Sequence, residues 1–237
     1  MKTVFHKAET RGGHNHGWLK AYHSFSFANF IDPSKMNFGA LRVLNDDTIQ
    51  KGMGFGHHGH SNMEIITIPL SGELAHKDSM GNSGTIQKGE IQVMSAGTGI
   101  QHSEFNGSNE NPVSLFQIWV IPNKMDVEPR YDQFKIADHA KVNDFQQIIS
   151  PDNNDEGSWI HQESWFNLLT TNEITQKKYS LHKPKNGVYI FVISGSAKIG
   201  DKILDQRDAL GISDAENFEI EASENSEILL MEVPMSV

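Results

Sequence analysis

Four side chains with metal-binding chemistry lie in two short segments of the sequence. His58 and His60 are two residues apart in GFGHHGHSNMEI, and His102 and Glu104 have the same spacing in GTGIQHSEFN. Alternate residues of a β-strand project from one face, so each pair shares a face of its strand. If the strands between these segments close into a barrel, both pairs face inward and converge on one divalent ion. Three imidazoles and one carboxylate leave open positions in an octahedral shell, which is typical of a catalytic metal site.

The other histidines are weaker candidates. The alternation that turns the two pairs inward turns His57 outward, to a surface or supporting position. His76, in ELAHKDS, either lines the cavity or supports a ligand, and a strand-edge histidine bonded to backbone is an equal alternative. His14 and His16 also have a two-residue spacing, but surface solvation or weak metal binding is favoured over catalysis there. No role is predicted for His6, His23, His139, His161 and His182.

The composition excludes several kinds of chemistry. The chain has 237 residues, no cysteine and a formal net charge of −10. Disulfides, thiolate zinc sites and thiol catalysis are therefore absent, and a metal must be held by His, carboxylate or carbonyl groups. An acidic surface without basic runs disfavours direct binding to nucleic acid. The N-terminus lacks the apolar core of a signal peptide, and the longest apolar run, VYIFVI, is too short for a bilayer, which predicts a cytoplasmic protein without membrane contact.

Short apolar or alternating runs separated by turn residues predict an all-β fold. They include ALRVL, EIITIPL, ELAHKD, IQVMSA and VSLFQIWVI in the first half, and WIHQES, KKYSLH, VYIFVISG, ALGIS, FEIEA and EILLMEV in the second. Close spacing of short strands favours a barrel or sandwich. The order strand, Ser-Gly, strand occurs in both IPLSGELAHKD and FVISGSAKIGD, which indicates an internal duplication. We predict two tandem β-barrels, in residues 1–140 and 141–237, around a polar connector with a helical turn at 123–157.

The two histidine segments resemble the two sequence motifs of the cupin superfamily. The first motif is matched in order by Gly52, His58, His60, Glu64 and Gly72, with one extra residue between its glutamate and last glycine. The second histidine segment resembles the second motif but is longer and lacks its usual proline. Both departures fit one branch of the superfamily.

That branch is the bacterial pirin family. The stretches HGWLKAYHSFSFANFIDP, MNFGALRVLNDD, HSNMEIITIPLSGELAHKDSMGNSG, MSAGTGIQHSEFN and LFQIWVIP resemble it in order, densely in the first half of the chain and in outline in the second. The resemblance implies a bicupin, two cupin-like β-barrels in tandem, with one metal ion in the N-terminal barrel. Its ligands by position are His58, His60, His102 and Glu104. Ordinary cupins often use the residue in the place of Glu64, but pirins use the one at Glu104, which also shares a face with His102.

The second half of the chain is predicted to keep the barrel without a metal. Aligning the two halves places Ile220 and Ala222 where the first half has His102 and Glu104. The structural role of this C-terminal domain is to pack against the first. Its candidate core residues are Tyr189, Phe191 and Phe218.

The resemblance implies quercetin 2,3-dioxygenase activity, in which O2 opens a flavonol or a similar chelating aromatic substrate. Glu104 is the candidate general base for the flavonol 3-hydroxyl. The ligand set admits iron, copper, nickel, manganese or zinc, and the resemblance favours Fe(II). An apolar pocket is expected, with candidate lining residues that could equally be core: Phe25, Phe27, Phe55, Phe105 and Trp119.

Two other functions stay open at this point. One is a non-enzymatic metal-binding regulator that acts through protein contacts, for which an acidic surface suits a basic partner. The other is a dioxygenase or isomerase for a different substrate. Oxygen consumption with quercetin discriminates between the enzymatic and the regulatory reading.

Overall fold

The computed structural model describes residues 1–236 apart from the side chain of residue 137, and residue 237, at the end of the predicted second domain, lies outside the described part. The described residues form twenty-two β-strands and two short 3-10 helices, so the predicted all-β class is confirmed. Within this part of the chain, no helix has the length and apolar character needed to cross a membrane.

The first half contains β1 (Lys2–His6), a 3-10 helix (Ala8–Thr10), β2 (Gly12–Asn15), β3 (Leu19–His23), β4 (Leu41–Ile49), β5 (Gly54–His60), β6 (Glu64–Ser71), β7 (Glu73–Asp78), β8 (Ser83–Gln87), β9 (Glu90–Ser95), β10 (Ile100–Asn106), β11 (Val113–Val120) and β12 (Arg130–Lys135). The second half contains a 3-10 helix (Ile136–His139), β13 (Phe145–Ser150), β14 (Ser158–Trp159), β15 (Trp165–Thr170), β16 (Thr175–Ser180), β17 (Asn186–Ser194), β18 (Ala197–Ile199), β19 (Lys202–Leu204), β20 (Ala209–Ser213), β21 (Asn217–Ala222) and β22 (Glu227–Pro234).

Each half folds into one seven-stranded and one four-stranded sheet with matching strand orders. In the first half the orders are β12-β9-β6-β11-β4-β3-β2 and β5-β10-β7-β8. In the second they are β1-β20-β17-β22-β15-β13-β14 and β16-β21-β18-β19. In each barrel a buried apolar cluster joins the two sheets. The match makes β21 the counterpart of β10, and it confirms the predicted pair of tandem cupin-like barrels.

One edge strand of the second barrel comes from the start of the chain. β1, at the start of the chain, pairs antiparallel with β20 from the second half, from Lys2↔Ser213 to His6↔Ala209. β12, which lies in the predicted connector, occupies the corresponding edge of the first barrel by pairing with β9. The connector therefore supplies two strands, β12 and β13, and a 3-10 helix to the folded structure, and residues 2–6 are bonded to the C-terminal sheet. The boundary at residue 140 stays a prediction.

One apolar core joins the two seven-stranded sheets. Phe116 of β11 and Phe191 of β17 meet edge to face there, with ring centroids 5.1 Å apart. Tyr189 is fully buried in the same cluster, whereas Phe218 lies in the separate core of the second barrel. All three predicted core residues are thus buried. Full burial of each aromatic side chain contributes about 2–3 kcal/mol, so the barrels stabilise each other.

An ion-pair cluster also ties β4 to the second barrel. Asp46 accepts a hydrogen bond from Nη1 of Arg11 at 3.1 Å, and the same oxygen lies 3.3 Å from Nε of Arg207. Arg207 has a φ of +70°, in the left-handed region, and its guanidinium lies over the Phe116 ring. The second barrel therefore holds β4 through a charged side chain as well as through apolar packing.

Candidate metal centre

The two histidine segments form adjacent strands of the four-stranded sheet. β5 and β10 pair antiparallel, with His58 opposite His102 and His60 opposite Ile100. The register then shifts, because the next pair joins Glu104 to Phe55 and leaves one extra residue in β5. This bulge is an irregularity of the kind that re-aims side chains beside functional sites. The two pairs thus converge across a single ladder of hydrogen bonds.

Three imidazoles form a compact cluster. The donor nitrogens of His58, His60 and His102 all lie within 4.8 Å of one another. The Nε2 atoms of His60 and His102 are 3.0 Å apart, and the ring centroids of His58 and His102 are separated by 4.3 Å. His102 is fully buried, whereas His58 and His60 are half-buried.

The cluster holds its rings in the form that binds metal. Nδ1 of His58 lies 2.8 Å from the backbone oxygen of Gly56, to which it donates, so the lone pair of the neutral ring is on Nε2. Burial and the neighbouring His58 lower the pKa of His60 to about 4. Burial and the adjacent imidazoles lower the pKa of His102 to about 3. Both imidazoles are therefore neutral at pH 7, and metal ligation requires this state.

The geometry fits a divalent ion. Two imidazole nitrogens that bind one ion at about 2.1 Å from neighbouring octahedral positions lie about 3.0 Å apart, which is the observed distance between Nε2 of His60 and Nε2 of His102. Nitrogen donors of this kind suit first-row transition metals. The residues present therefore fit one divalent ion.

Glu104 belongs to a second group that shares His102 with the first. Its carboxylate and the donor atoms of His76 and His102 lie within 4.8 Å of one another, but the four predicted ligands do not form a single group at that distance. Gln117 donates to one carboxylate oxygen at 3.0 Å and Thr67 to the other at 3.4 Å. Burial raises the pKa of Glu104 to about 7. His102 thus links the imidazole cluster to the carboxylate.

His76 supports this arrangement from behind. It is buried on β7, an inner strand of the four-stranded sheet, and faces Glu104 in the register. Gln92 and Asp78 contact its two ring nitrogens at 2.9 and 3.3 Å, so its partners are side chains and not the backbone of a strand edge. Burial lowers its pKa. The structure excludes the strand-edge alternative for His76 and places its ring in one group of donor atoms with His102 and Glu104.

A cavity of about 460 Å³ opens in front of the cluster. Its polar wall residues are Asn45, Asp47, His57, His58, His60, Glu104 and Gln117, and its aromatic ones are Trp18, Phe27, Phe55 and Trp119. Trp119 packs edge-on against Phe27 and His60, with centroid distances of 5.3 and 5.0 Å. A cavity that combines aromatic surface with converging polar groups is a usual form of a small-molecule site.

The predicted lining residues divide three to two. Phe27, Phe55 and Trp119 line the cavity, and Trp18, which sequence reasoning missed, packs against Phe55 at 5.3 Å. Phe25 is wrong as a lining residue, because it is buried against Tyr189 between the barrels. Phe105 is also wrong, because strand alternation turns it to the surface, where 41% of it is exposed.

His57 agrees with its prediction in part, because it is exposed but also lines the cavity. It is exposed and belongs to neither group of donor atoms, although the bulge leaves it at the border of the cavity. His14 stacks on His16 with centroids 5.9 Å apart, and neither residue lies in a described donor group.

Glu64 lies apart from the imidazole cluster. Ser95 donates to its carboxylate at 2.7 Å, and burial raises its pKa to about 7. It belongs to neither group of donor atoms. Its contacts are those of a buried structural carboxyl, which agrees with the preference for Glu104.

Asp47 is the functional candidate that sequence reasoning missed. It is 5% exposed and lines the cavity, and its Oδ1 has no hydrogen-bond partner among the described residues. Burial, Asp46 and Glu104 raise its pKa to about 8. The sequence feature that could have found Asp47 is the alternation along VLNDDTI, which places Asp46 and Asp47 on opposite faces of β4.

The second barrel has an apolar interior where the first has its cluster. Ile220 and Ala222 of β21 are fully buried in its core. A buried carboxylate is present nearby, but Glu232 accepts hydrogen bonds from Tyr179, Asn186 and the backbone of His182 and Lys183. Burial raises the pKa of Glu232, but hydrogen bonds from the side chain and backbone of His182, the backbone of Lys183 and the Tyr179 hydroxyl outweigh it and lower the pKa. Among the described residues of this barrel, no group of donor atoms could hold a metal.

Fold and site together define a bicupin with a candidate metal centre in its N-terminal barrel. Residues 4–120 match the family model described as Pirin, and residues 147–233 match the one described as the quercetinase C-terminal cupin domain. The chain is 42% identical over 230 residues to the quercetin 2,3-dioxygenase of Escherichia coli K12, covering 96% of this chain and 97% of that protein. It is 37% identical to a pirin-like protein of Caulobacter vibrioides over 93% of this chain and 95% of that one. The chain belongs to the pirin family.

A solved structure agrees with this assignment. The crystal structure of the bacterial pirin YhhW from Escherichia coli in complex with nickel(II) matches with a TM-score of 0.93 and 40% identity, covering 100% of both chains. The family, the His/Glu cluster and the nickel complex of that relative together support one divalent metal ion in this protein.

Proposed function

We propose that this protein is a metal-dependent dioxygenase of the quercetin 2,3-dioxygenase type, which opens a flavonol or a similar chelating aromatic substrate with O2. The observation that carries the proposal is the position of the imidazole cluster, two of whose rings, His58 and His60, line a cavity with aromatic walls. The similarity to a quercetin 2,3-dioxygenase over nearly the whole chain supports the same reaction class.

The ion is held by His58, His60, His102 and Glu104 in this proposal. The donor atoms of the three imidazoles lie within 4.8 Å of one another, and the carboxylate of Glu104 lies within the same distance of His102, which the two groups share. When bound, a divalent ion acidifies a coordinated hydroxyl and supplies the redox chemistry that O2 requires. Redox chemistry disfavours zinc as the working ion, and Fe(II) is favoured among the other metals.

Glu104 takes the proton of the substrate hydroxyl. It lines the cavity beside the imidazole cluster, and its two carboxylate oxygens are held by Gln117 and Thr67. A base in this position needs to lie within hydrogen-bond reach of the proton it removes. The side-chain amide of Gln117 donates to the carboxylate at 3.0 Å and so orients the base in the structure.

The aromatic wall selects a flat substrate. Trp18, Phe27, Phe55 and Trp119 provide apolar surface on which planar rings pack by stacking or edge contact. The wall also keeps bulk water away from the reacting carbon atoms, which suppresses side reactions. A cavity of about 460 Å³ is in the size range of sites for a drug-sized ligand.

The test uses protein purified without an affinity tag, stripped of metal and reconstituted without oxygen with Fe(II), Mn(II), Cu(II) or Ni(II). Metal content is measured by elemental analysis, and O2 consumption and carbon monoxide release are measured after addition of quercetin. We expect stoichiometric loss of quercetin, O2 uptake and CO release with at least one metal. If the protein retains one metal per chain and consumes no O2 with any of them, the proposal is wrong and the regulatory reading is favoured.

A further inference from the structure

The cavity contains one buried carboxyl for which the proposed reaction has no use. Asp47 lines it from β4, in the sheet that faces the metal ligands on β5 and β10. Only 5% of the residue is exposed, and Oδ1 is buried without a hydrogen-bond partner among the described residues. A buried polar atom that lacks a partner costs free energy and is uncommon in native structures.

The neighbouring amides are already engaged. Oδ1 of Asn45 accepts from Nδ1 of His23 at 2.7 Å. Gln117 donates to Glu104 at 3.0 Å, and its oxygen lies 3.3 Å from the Thr67 hydroxyl that donates to it. The side-chain oxygens of both amides are therefore hydrogen-bonded within the protein. Asp47 differs from them because its Oδ1 has no partner among the described residues.

Contacts of its strand on both sides fix the position of Asp47. Asp46, its neighbour on the opposite face of β4, is tied to Arg11 and Arg207. On its other side, Asp47 pairs with Leu115 of β11. An acceptor held rigidly in an apolar wall discriminates ligands strongly, because a ligand that lacks the matching donor leaves it unpaired.

We propose that Asp47 is a specificity-determining residue that accepts a hydrogen bond from a phenolic hydroxyl of the substrate other than the hydroxyl that reaches the metal. The inference rests on the proposed function, since it assumes an aromatic substrate in this cavity. It assigns the substrate class as polyhydroxylated aromatic compounds rather than singly hydroxylated ones. The side chain stays out of the metal shell and does not take part in bond breaking.

The test measures binding without turnover, so that it is independent of catalysis. Zn(II)-loaded protein is titrated under nitrogen with quercetin, which has five hydroxyl groups, and with 3-hydroxyflavone, which has only the one next to the carbonyl. Trp18 and Trp119 line the cavity, and quenching of their fluorescence reports occupancy. The compared proteins are the wild type, Asp47→Ala, Asp47→Asn and the control Thr48→Ala, which changes the adjacent, half-buried residue.

We expect the wild type to bind quercetin about 10-fold or more tightly than 3-hydroxyflavone, the effect of one hydrogen bond to a buried acceptor. Asp47→Ala lowers the affinity for quercetin to that for 3-hydroxyflavone and leaves the affinity for 3-hydroxyflavone nearly unchanged. Asp47→Asn keeps one oxygen acceptor and falls between the two, and Thr48→Ala keeps the wild-type ratio. Elemental analysis confirms one zinc ion per chain in each variant.

Three results overturn the inference. If the ratio of the affinities for quercetin and 3-hydroxyflavone is unchanged in Asp47→Ala, the carboxyl does not recognise a hydroxyl of the ligand. If the affinities for both compounds fall equally, the role of Asp47 is structural. A wild type that binds both compounds equally has no hydroxyl recognition at this wall. The proposed function fails separately, if the wild type binds neither compound and does not consume O2 with quercetin in any metal form.

Discussion

Nε2 of His60 and Nε2 of His102 lie 3.0 Å apart across the ladder between β5 and β10. Forty-two residues separate them in the chain, yet they belong to neighbouring strands of one sheet. Two imidazoles at this distance would share one proton or hold one ion. Since burial lowers the pKa of both, neutral rings that bind a divalent ion are the natural state of the site.

Loss of a ligand imidazole is expected to abolish tight metal binding. His102→Ala removes the residue that belongs to both groups of donor atoms, so we expect affinity to fall by more than about 100-fold, which exceeds the usual effect of a supporting residue. His57→Ala is the matched control, because His57 is exposed on the same strand as two proposed ligands and is expected to keep the ion. Competition with a chromophoric chelator measures both affinities. Equal loss of metal affinity in the two variants would mean that His57, and not only its neighbours on β5, points toward the metal.

Replacement of the proposed base is expected to separate catalysis from fold. Glu104→Gln keeps the side-chain volume but removes the proton acceptor, so kcat with quercetin should fall by about 10²–10⁴-fold. Urea unfolding should show a folded protein, and elemental analysis reports how much metal the three imidazoles retain. Full activity in a metal-replete Glu104→Gln variant would exclude the residue as the base.

In the metal-free protein, the free energy of unfolding is expected to depend on pH through His102. The folded state keeps this ring neutral to about pH 3, whereas the unfolded chain takes up a proton near pH 6.5. The unfolded state therefore binds more protons as the pH falls below 6.5, and the free energy of unfolding decreases by up to about 1.4 kcal/mol per pH unit from this group. His102→Gln lacks this contribution and should gain stability relative to the wild type on acidification.

The difference between the two proteins is the informative quantity. Burial raises the pKa of Asp47, Glu64 and Glu104, and these groups act in the opposite direction over the same range. Their contribution is present in both proteins and largely cancels in the comparison. Urea denaturation of the chelator-treated proteins from pH 7 to pH 4.5 gives both curves. Parallel curves would show that His102 is not held neutral by the fold.

The ion-pair cluster between β4 and the second barrel is expected to contribute measurably to stability. Asp46→Ala leaves the guanidinium groups of Arg11 and Arg207 without their shared partner in a mostly buried position. Breaking such a pair costs about 3 kcal/mol. Asp214→Ala is the control, since its pair with Lys2 is exposed and should change the urea midpoint little. Similar midpoints for the two variants would contradict the assigned role of Asp46.

The shared core between the barrels is expected to be sensitive to truncation. Phe116→Ala removes a fully buried ring that contacts Phe191 across the interface, and we expect a loss of about 3–5 kcal/mol. Phe105→Ala removes an aromatic ring of the same size that is 41% exposed and should cost far less. Thermal or urea unfolding of both variants makes the comparison. A small effect of Phe116→Ala would mean that the barrels fold independently.

Local pattern was sufficient for much of the fold. ELAHKD and ALGIS coincide with β7 and β20 residue for residue, because each run alternates or is bounded by turn residues. WIHQES failed, since only Trp159 of that run lies in a strand. β13 and β15 were missed because FQQIIS was read as part of the polar connector and WFNLLT lies between turn residues without clear alternation. The pairing of β1 with the second barrel could not be predicted, because strand pairing depends on partners that are distant in the chain.

What the sequence by itself determined about this protein is the chemistry of its candidate site. His58 and His60, and likewise His102 and Glu104, are two residues apart in the sequence. Strand periodicity alone therefore places each pair on one face of its strand. Only the tertiary structure decided how the two pairs meet: a bulge in β5 shifts their register, and Gln117 and Thr67 hold Glu104 apart from the imidazoles of β5. The same holds for Asp47, whose exposure to the cavity is set by the closure of one sheet over another. Periodicity is a local property of the chain, whereas the distance between facing sheets is the result of packing the whole barrel.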